Sequence, residues 1–102
     1  MAALTWTERA VASLEDIHDY IAEDSPVYAR RQITNILKGA ERLTLFPESG
    51  RHIPEFPHMP HREIIVSAIR VIYSYDSEEK RIFIVNVIHG HRVLNEDMLS
   101  DS

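Results

Sequence analysis

The sequence has no cysteine, few glycines and no long hydrophobic run. Without cysteine the chain can form neither a disulfide framework nor a reactive thiolate, which is typical of proteins in a reducing cytosol. No apolar run approaches the ~20 residues of a transmembrane helix, and residues 1–10 lack the basic and apolar regions of a signal peptide. With three glycines in the chain, no glycine-rich phosphate loop stands out. These absences predict a cytoplasmic protein without a membrane partner.

Basic residues are also scarce. The chain has 16 acidic and 11 basic residues, which give a net charge of −5. Acids dominate residues 1–24 and the segment after Arg92, whereas bases concentrate in residues 30–42 and on the later apolar runs. Phosphate neutralisation supplies most of the affinity of free-standing nucleic-acid binders. The composition therefore predicts no autonomous nucleic-acid binding.

The length of 102 residues predicts one domain, residues 1–102. Two series of apolar residues, spaced by four and three positions, each mark one face of a helix. They are Ala10, Leu14, Ile17 and Ile21, and then Ala29, Ile33, Ile36, Ala40 and Leu43. Ser25 and Pro26 start the second helix and leave only a short link, so the helices form an antiparallel hairpin. Gly39 lies inside the second helix, where we expect the two helices to approach closely.

Three apolar runs predict strands over Glu63–Val66, Ile69–Tyr73 and Arg81–His89. The first two runs are too close in sequence for a parallel crossover and therefore form a hairpin. A short first strand is predicted over residues 4–6. The expected fold is α+β, with an N-terminal helical hairpin packed on a small antiparallel β-sheet in the order β-α-α-β-β-β.

The last strand is apolar on both faces, although helices on one side of a sheet require only one apolar face. Its second face is therefore either covered by the tail or free to dock another protein. Residues 93–102 are acidic and short, and two alternatives remain for them: a disordered end or a short helical tail.

Arginines lie at the start or end of the strands. Side-by-side pairing of the strands is expected to gather Arg62, Arg70 and Arg92 at one rim. Metal-independent RNA cleavage needs a base, an acid and cations. The candidates for proton transfer are His89, His91 and Tyr73.

The alternative interpretation is structural. Tyr73 would pack in the core, and the arginines would pair with Glu63 and other acids. The spacings His58/His61 and His89/His91 resemble those of metal ligands, but each pair lacks an obvious third ligand. We therefore expect no metal and no cofactor.

The chain resembles the ParE/RelE superfamily of bacterial toxins, and within it the ParE-like branch. The matching segments run from residue 6 to residue 92: Trp6-Thr7 with Ala10 and Leu14, Tyr20-Ile21-Ala22 with Asp24-Ser25-Pro26, Ala29, Leu43 with Phe46-Pro47, Gly50-Arg51, Pro54-Glu55, Arg62-Glu63, Arg70-Val71-Ile72-Tyr73, and Val87 with His89-Gly90 and Arg92. The sequence departs from the family at His91, where a second arginine is common.

The resemblance implies a toxin of a type II toxin–antitoxin system, held inactive by a cognate ParD-like antitoxin and linked to growth arrest and plasmid stabilisation. ParE-like members are described as inhibitors of DNA gyrase, so gyrase is the expected partner and no catalytic residue is assigned. The expected target-binding residues are Arg51, Arg62, Arg70 and Arg92. The helical hairpin and the second face of the last strand are the expected antitoxin surfaces, and the expected antitoxin-binding residues on that strand are Ile82, Ile84 and Ile88.

Two alternatives stay open. RelE-like members cleave mRNA on the ribosome, and such a nuclease would use His89, Tyr73, Arg62, Arg70 and Arg92. The other alternative is an inactive homologue that only binds the antitoxin.

Overall fold

The computed structural model describes residues 1–100, which form two helices and a five-stranded sheet. In chain order the elements are β1 (Ala3–Trp6), α1 (Glu8–Ala22), α2 (Pro26–Arg42), β2 (Arg51–His52), β3 (Arg62–Val66), β4 (Ile69–Asp76) and β5 (Arg81–His89). A turn of 3-10 helix, Glu96–Leu99, follows β5. The predicted α+β fold is confirmed, with the two-residue β2 as an additional strand. Residues 101–102 of the predicted tail lie outside the described residues.

Both helices begin at side-chain caps. The Ala10 amide donates to Thr7 Oγ1 at 3.1 Å, and the Tyr28 amide donates to Ser25 Oγ at 3.1 Å. Pro26 occupies the first turn of α2, where a missing N–H costs nothing. These caps stabilise the start of each helix, and α1 packs against α2 as the predicted hairpin.

Gly39 marks a close approach of α2 to β3. A Cβ atom at Gly39 would lie 2.9 Å from Val66 Cγ2 and 3.5 Å from Ile64 Cδ1. The expectation that Gly39 lies against the other helix is therefore wrong, because helix–sheet packing sets the spacing here.

The strands lie in the order β1-β5-β4-β3-β2. The neighbours from β5 to β2 are antiparallel, whereas β1 pairs with β5 in parallel. The helical hairpin and three strands separate β1 from β5 in sequence, which is ample for a crossover. The sheet is therefore mixed rather than purely antiparallel.

A bulge in β5 redistributes its apolar side chains. The β4–β5 pairing shifts after Ile72, and Val85 falls outside the β4 register. Because residues beyond a bulge change faces relative to simple alternation, Ile82 and Ile84 pack beneath the helices whereas Ile88 packs on the opposite face. The interpretation that the three isoleucines share one face is wrong for this reason.

The face of the sheet away from the helices, called here the tail face, is covered by the chain itself. Its buried residues are Ile53, Ile72, Val85, Ile88, Leu94 and Leu99, with Phe56, Met59 and Met98 packed against them. Asn86 Nδ2 donates to the Met98 carbonyl at 3.0 Å, and the Arg9 guanidinium donates to the Asp97 carbonyl. The segment after β2 and the tail therefore seal this face.

Burial contradicts the prediction of an exposed antitoxin-binding surface on β5. Ile82, Ile84 and Ile88 are 0%, 0% and 3% exposed. The expected open apolar face is absent from residues 1–100, because the helices cover Ile82 and Ile84, whereas the tail and the segment after β2 cover Ile88.

Candidate functional site

Four charged side chains form a connected network near the β3–β4 hairpin. The two oxygens of Glu63 accept separately, one from Arg51 Nε at 2.8 Å and the other from Arg70 Nε at 2.6 Å. Arg70 Nη1 and Nη2 then donate to the two oxygens of Glu55 at 2.7 and 2.8 Å. Glu63 lies opposite Ile72 of β4 and so points to the tail face. The network joins β2, β3 and β4 to the proline-containing segment that carries Glu55.

The inner members of the network are buried and the outer members are exposed. The side chains of Glu63 and Arg70 are 0% and 6% exposed, whereas those of Arg51 and Glu55 are 61% and 40% exposed. The hydrogen bonds that Arg70 donates to Glu55 lower the pKa of Glu55 to about 2. The same bonds raise the pKa of Arg70. The two guanidinium groups balance the charge of the two carboxylates. Arg51 presents the most accessible charge of the four, because its side chain is the most exposed.

An open cleft of about 540 Å³ lies beside this network. Its lining consists of Arg51, Pro54, Glu55, Ile65, Ala68, Arg70, Gly90 and His91. At its edge, Ser67 and Ala68 form the β3–β4 turn with φ of 49° and 67°. Positive φ at both central residues of a two-residue hairpin turn normally selects Asn-Gly. The cleft therefore combines charged groups, apolar lining residues and a strained turn.

Tyr73 and Arg62 lie on the helix face of the sheet, opposite the network. The buried Tyr73 hydroxyl donates to the Pro47 carbonyl at 2.8 Å and accepts from the Gly50 amide at 2.9 Å. Burial raises its pKa. Arg62 Nη1 donates to the Gly50 carbonyl at 2.8 Å. The structural interpretation of Tyr73 is confirmed, because both hydrogen-bonding roles of its hydroxyl are used inside the protein.

Arg92 lies apart from the other predicted arginines. It lines a separate polar pocket of about 400 Å³ beside α1 and the tail. Arg62 and Arg70 point to opposite faces because their positions differ in strand alternation. The expected gathering of Arg62, Arg70 and Arg92 is therefore wrong. The rings of His89 and His91 lie 4.4 Å apart, and His91 reaches the network cleft.

Sequence reasoning missed Glu55 as a site residue. A signal was available: Arg70 opens an apolar strand, and a buried guanidinium requires carboxylate partners. The alternative pairing of an arginine with Glu63 is confirmed. The second carboxylate comes from a distant segment, so its identity depended on the tertiary structure.

The described residues do not hold a ready metal site. Within residues 1–100 no group of three or more His, Cys, Asp or Glu side chains is placed to bind a metal ion. His58 and Glu96 approach to 3.5 Å as a simple exposed pair. In the same part of the chain, neither helix combines the length and apolar character needed to cross a membrane.

Sequence comparisons identify related proteins. A family model described as the ParE toxin of the type II toxin–antitoxin system parDE matches residues 4–94. Toxin RelE2 of Caulobacter vibrioides is 34% identical over 93 residues, which span 91% of this chain and 100% of that protein. The putative toxin Y4kP of Sinorhizobium fredii is 30% identical over 89 residues, which span 87% of this chain and 88% of that protein.

Solved structures share the fold. The chromosomal ParDE system from P. aeruginosa matches with a TM-score of 0.68 at 22% identity, covering 87% of this chain and 96% of that one. The toxin–antitoxin complex RelBE2 from Mycobacterium tuberculosis matches with a TM-score of 0.65 at 17% identity, covering 86% and 96%. At these identities the likeness is one of fold.

Proposed function

Because this chain belongs to the ParE/RelE superfamily of type II toxin–antitoxin toxins, we propose that it inhibits DNA gyrase by binding, without chemistry of its own. A cognate ParD-like antitoxin neutralises it in the cytoplasm. Release from that antitoxin causes growth arrest, the basis of plasmid stabilisation.

We favour a binding function because the candidate nuclease residues are dispersed over the structure. Tyr73 uses its hydroxyl in the core, and Arg70 is neutralised by two carboxylates. Arg62 and Arg92 lie on a different face and in a different pocket. RNA cleavage needs an acid, a base and cations around a single phosphate, and this distribution favours the non-catalytic alternative.

Arg51 is the arginine best placed to contact a target. Its side chain is 61% exposed, and the buried Glu63 fixes its direction by accepting from Nε and Nη2, both at 2.8 Å. Arg70 binds the other oxygen of Glu63 and so helps to fix the carboxylate that orients Arg51. Arg92 offers an exposed cation on a second patch, and Arg62 supports the segment around Gly50.

The antitoxin surface is proposed at the open edge of β3, because Ile82, Ile84 and Ile88 are covered. β2 pairs only with Arg62 and Glu63, so residues 64–66 keep a free edge among the described residues. A groove of about 410 Å³ flanks that edge, lined by Gly39, Arg42, Leu43, Phe46, Ser49, Ile64, Ile65 and Val66. An extended antitoxin segment can add a strand there and place apolar side chains in the groove. Both similar solved structures come from toxin–antitoxin systems, which supports an antitoxin partner.

A gyrase supercoiling assay run beside a translation-coupled mRNA cleavage assay tests the function. The wild-type protein is expected to inhibit supercoiling and to leave mRNA intact. Arg51→Ala should weaken inhibition at least tenfold, since a charge-assisted contact contributes roughly 1.5–3 kcal/mol. Arg81→Ala is the matched control, because Arg81 is exposed and makes a cation–π contact with Phe83 at 5.9 Å. Untouched supercoiling at high molar excess contradicts the proposal.

RelE-like mRNA cleavage is the second candidate. His91, Glu55 and Arg51 line the same cleft, and together they offer an imidazole, a carboxylate and a guanidinium. Ribosome-dependent cleavage that His91→Ala abolishes would favour this alternative. Antitoxin binding without inhibition in either assay would favour the inactive homologue.

A further inference from the structure

Some lysines and arginines of this acidic protein contact other groups and some do not. Of its 11 lysines and arginines, five contact another group: Arg9, Arg51, Arg62, Arg70 and Arg81. Within residues 1–100, the side chains of the other six make no ion pair or hydrogen bond, and four of them belong to α2: Arg30, Arg31, Lys38 and Arg42. Free positive charge is therefore concentrated on one helix.

Three of these cations share one row with an amide. Arg31, Asn35, Lys38 and Arg42 recur at spacings of four, three and four, which places them on one helix face, and all four are exposed. We call this row the α2 stripe. It extends ~16 Å along the helix. Between residues 31 and 42 the row contains neither an acidic nor an apolar side chain.

Helix stability does not account for the α2 stripe as a whole, although Arg42 in the last turn complements the helix dipole. Lys38 and Arg42 are four residues apart, a spacing at which like charges repel. Acids are plentiful elsewhere in the chain, yet within residues 1–100 none pairs with these side chains. Such a surface is complementary to an external polyanion.

We propose that the α2 stripe binds the phosphate backbone of duplex DNA. Arginine, lysine and asparagine are among the side chains that contact phosphate oxygens. Protein hot spots are enriched in Trp and Tyr as well as Arg, and the four residues of the stripe include neither Trp nor Tyr. The net charge of −5 makes this contact too weak to hold the free protein on DNA at physiological salt. Its cellular role rests on the proposed function, because gyrase presents DNA beside its protein surface.

The binding itself is measured without gyrase. The protein is titrated into a fluorescent 20-base-pair DNA duplex between 50 and 200 mM salt, and anisotropy is recorded. Three neutralised phosphates predict a log–log salt slope of about −2.7, which is a loss of about 40-fold in affinity over this range. The variant Arg31→Glu/Lys38→Glu should bind at least tenfold more weakly at 50 mM salt. It should fold, because residue 38 then forms a favourable pair with Arg42.

The control variant is Lys80→Glu/Arg81→Glu, which changes the net charge equally and lies at the β4–β5 turn. It should keep the affinity within about threefold of wild type. Equal losses in both variants would show a net-charge effect and overturn the proposal. So would the absence of wild-type binding at 50 mM salt.

An acidic protein segment is the competing occupant. A poly-glutamate peptide with the same number of charges as the duplex is the probe for it. If the peptide binds as tightly as the duplex and responds to Arg31→Glu/Lys38→Glu, the stripe receives protein and the proposal fails. DNA binding with no effect on supercoiling would reject gyrase as the target and leave the stripe assignment standing.

Discussion

Replacing Arg70 with methionine should cost more stability than any surface substitution in this protein. Among residues 1–100, Arg70 supplies the only donor to one oxygen of Glu63, whose side chain is 0% exposed. Arg51 alone would then hold the carboxylate from a position that is 61% exposed. Removing one partner of a buried ion pair costs roughly 3–5 kcal/mol, because the remaining charge is uncompensated. Domains of this size have a free energy of unfolding of about 5–15 kcal/mol.

The matched variant removes both buried charges. In Glu63→Met/Arg70→Met the two long apolar side chains fill the same volume, and no buried charge remains. Glu55 and Arg51 lose partners but are 40% and 61% exposed, so solvent stabilises them. We expect the double variant to lie within ~1 kcal/mol of wild type.

Urea unfolding followed by circular dichroism measures both free energies. In a thermal melt, Arg70→Met should lower the melting temperature by about 12–40 °C, since each kcal/mol is worth about 4–8 °C for a small domain. Recovery in the double variant isolates the buried charge as the cause. A single variant that loses less than ~1 kcal/mol, or a double variant as unstable as the single one, would refute this account of Glu63.

Three further predictions concern other positions. Ala68→Gly should stabilise the protein by about 1 kcal/mol in urea unfolding, because φ of 67° strains alanine and not glycine; an unchanged midpoint contradicts this. Tyr73→Phe should lose about 2 kcal/mol by the same measurement, because the Gly50 amide and the Pro47 carbonyl lose a shared partner. Hydrogen bonds from Arg70 lower the pKa of Glu55 from its ordinary 4.5 to about 2, so its contribution is complete above pH 4.5 and disappears as the pH falls through 2. Solvent exposure of 40% limits that contribution to about 1 kcal/mol. Glu55→Gln should remove this acid dependence in unfolding curves between pH 6 and 2, and an unaltered dependence would assign it to other acids.

Local patterns predicted the elements well. The apolar series through Ile36 and Ala40 marked the buried face of α2, and the Ser25-Pro26 pair marked its start. The β3–β4 hairpin was predictable because only two residues separate the strands. Gly39 was identified as unusual, but the identity of its neighbour required the packing of α2 on β3.

The candidate site was less predictable, because contacts between distant residues decide it. Arg70 looked like a rim cation, yet Glu55 and Glu63 neutralise it from two other segments. The bulge at Val85 moved Ile88 to the face opposite Ile82, which simple alternation cannot anticipate.

The sequence by itself determined the two helices, every strand except the two-residue β2, and the α+β class, since each depends on periodicity, caps and turns within a short segment. Only the tertiary structure decided which charges remain free and which apolar face stays open. A guanidinium is available to a partner only if no carboxylate reaches it in the folded chain. The tail closes the expected face on β5, and the network neutralises Arg70, which leaves the cleft at Arg51 and the cations of α2 exposed.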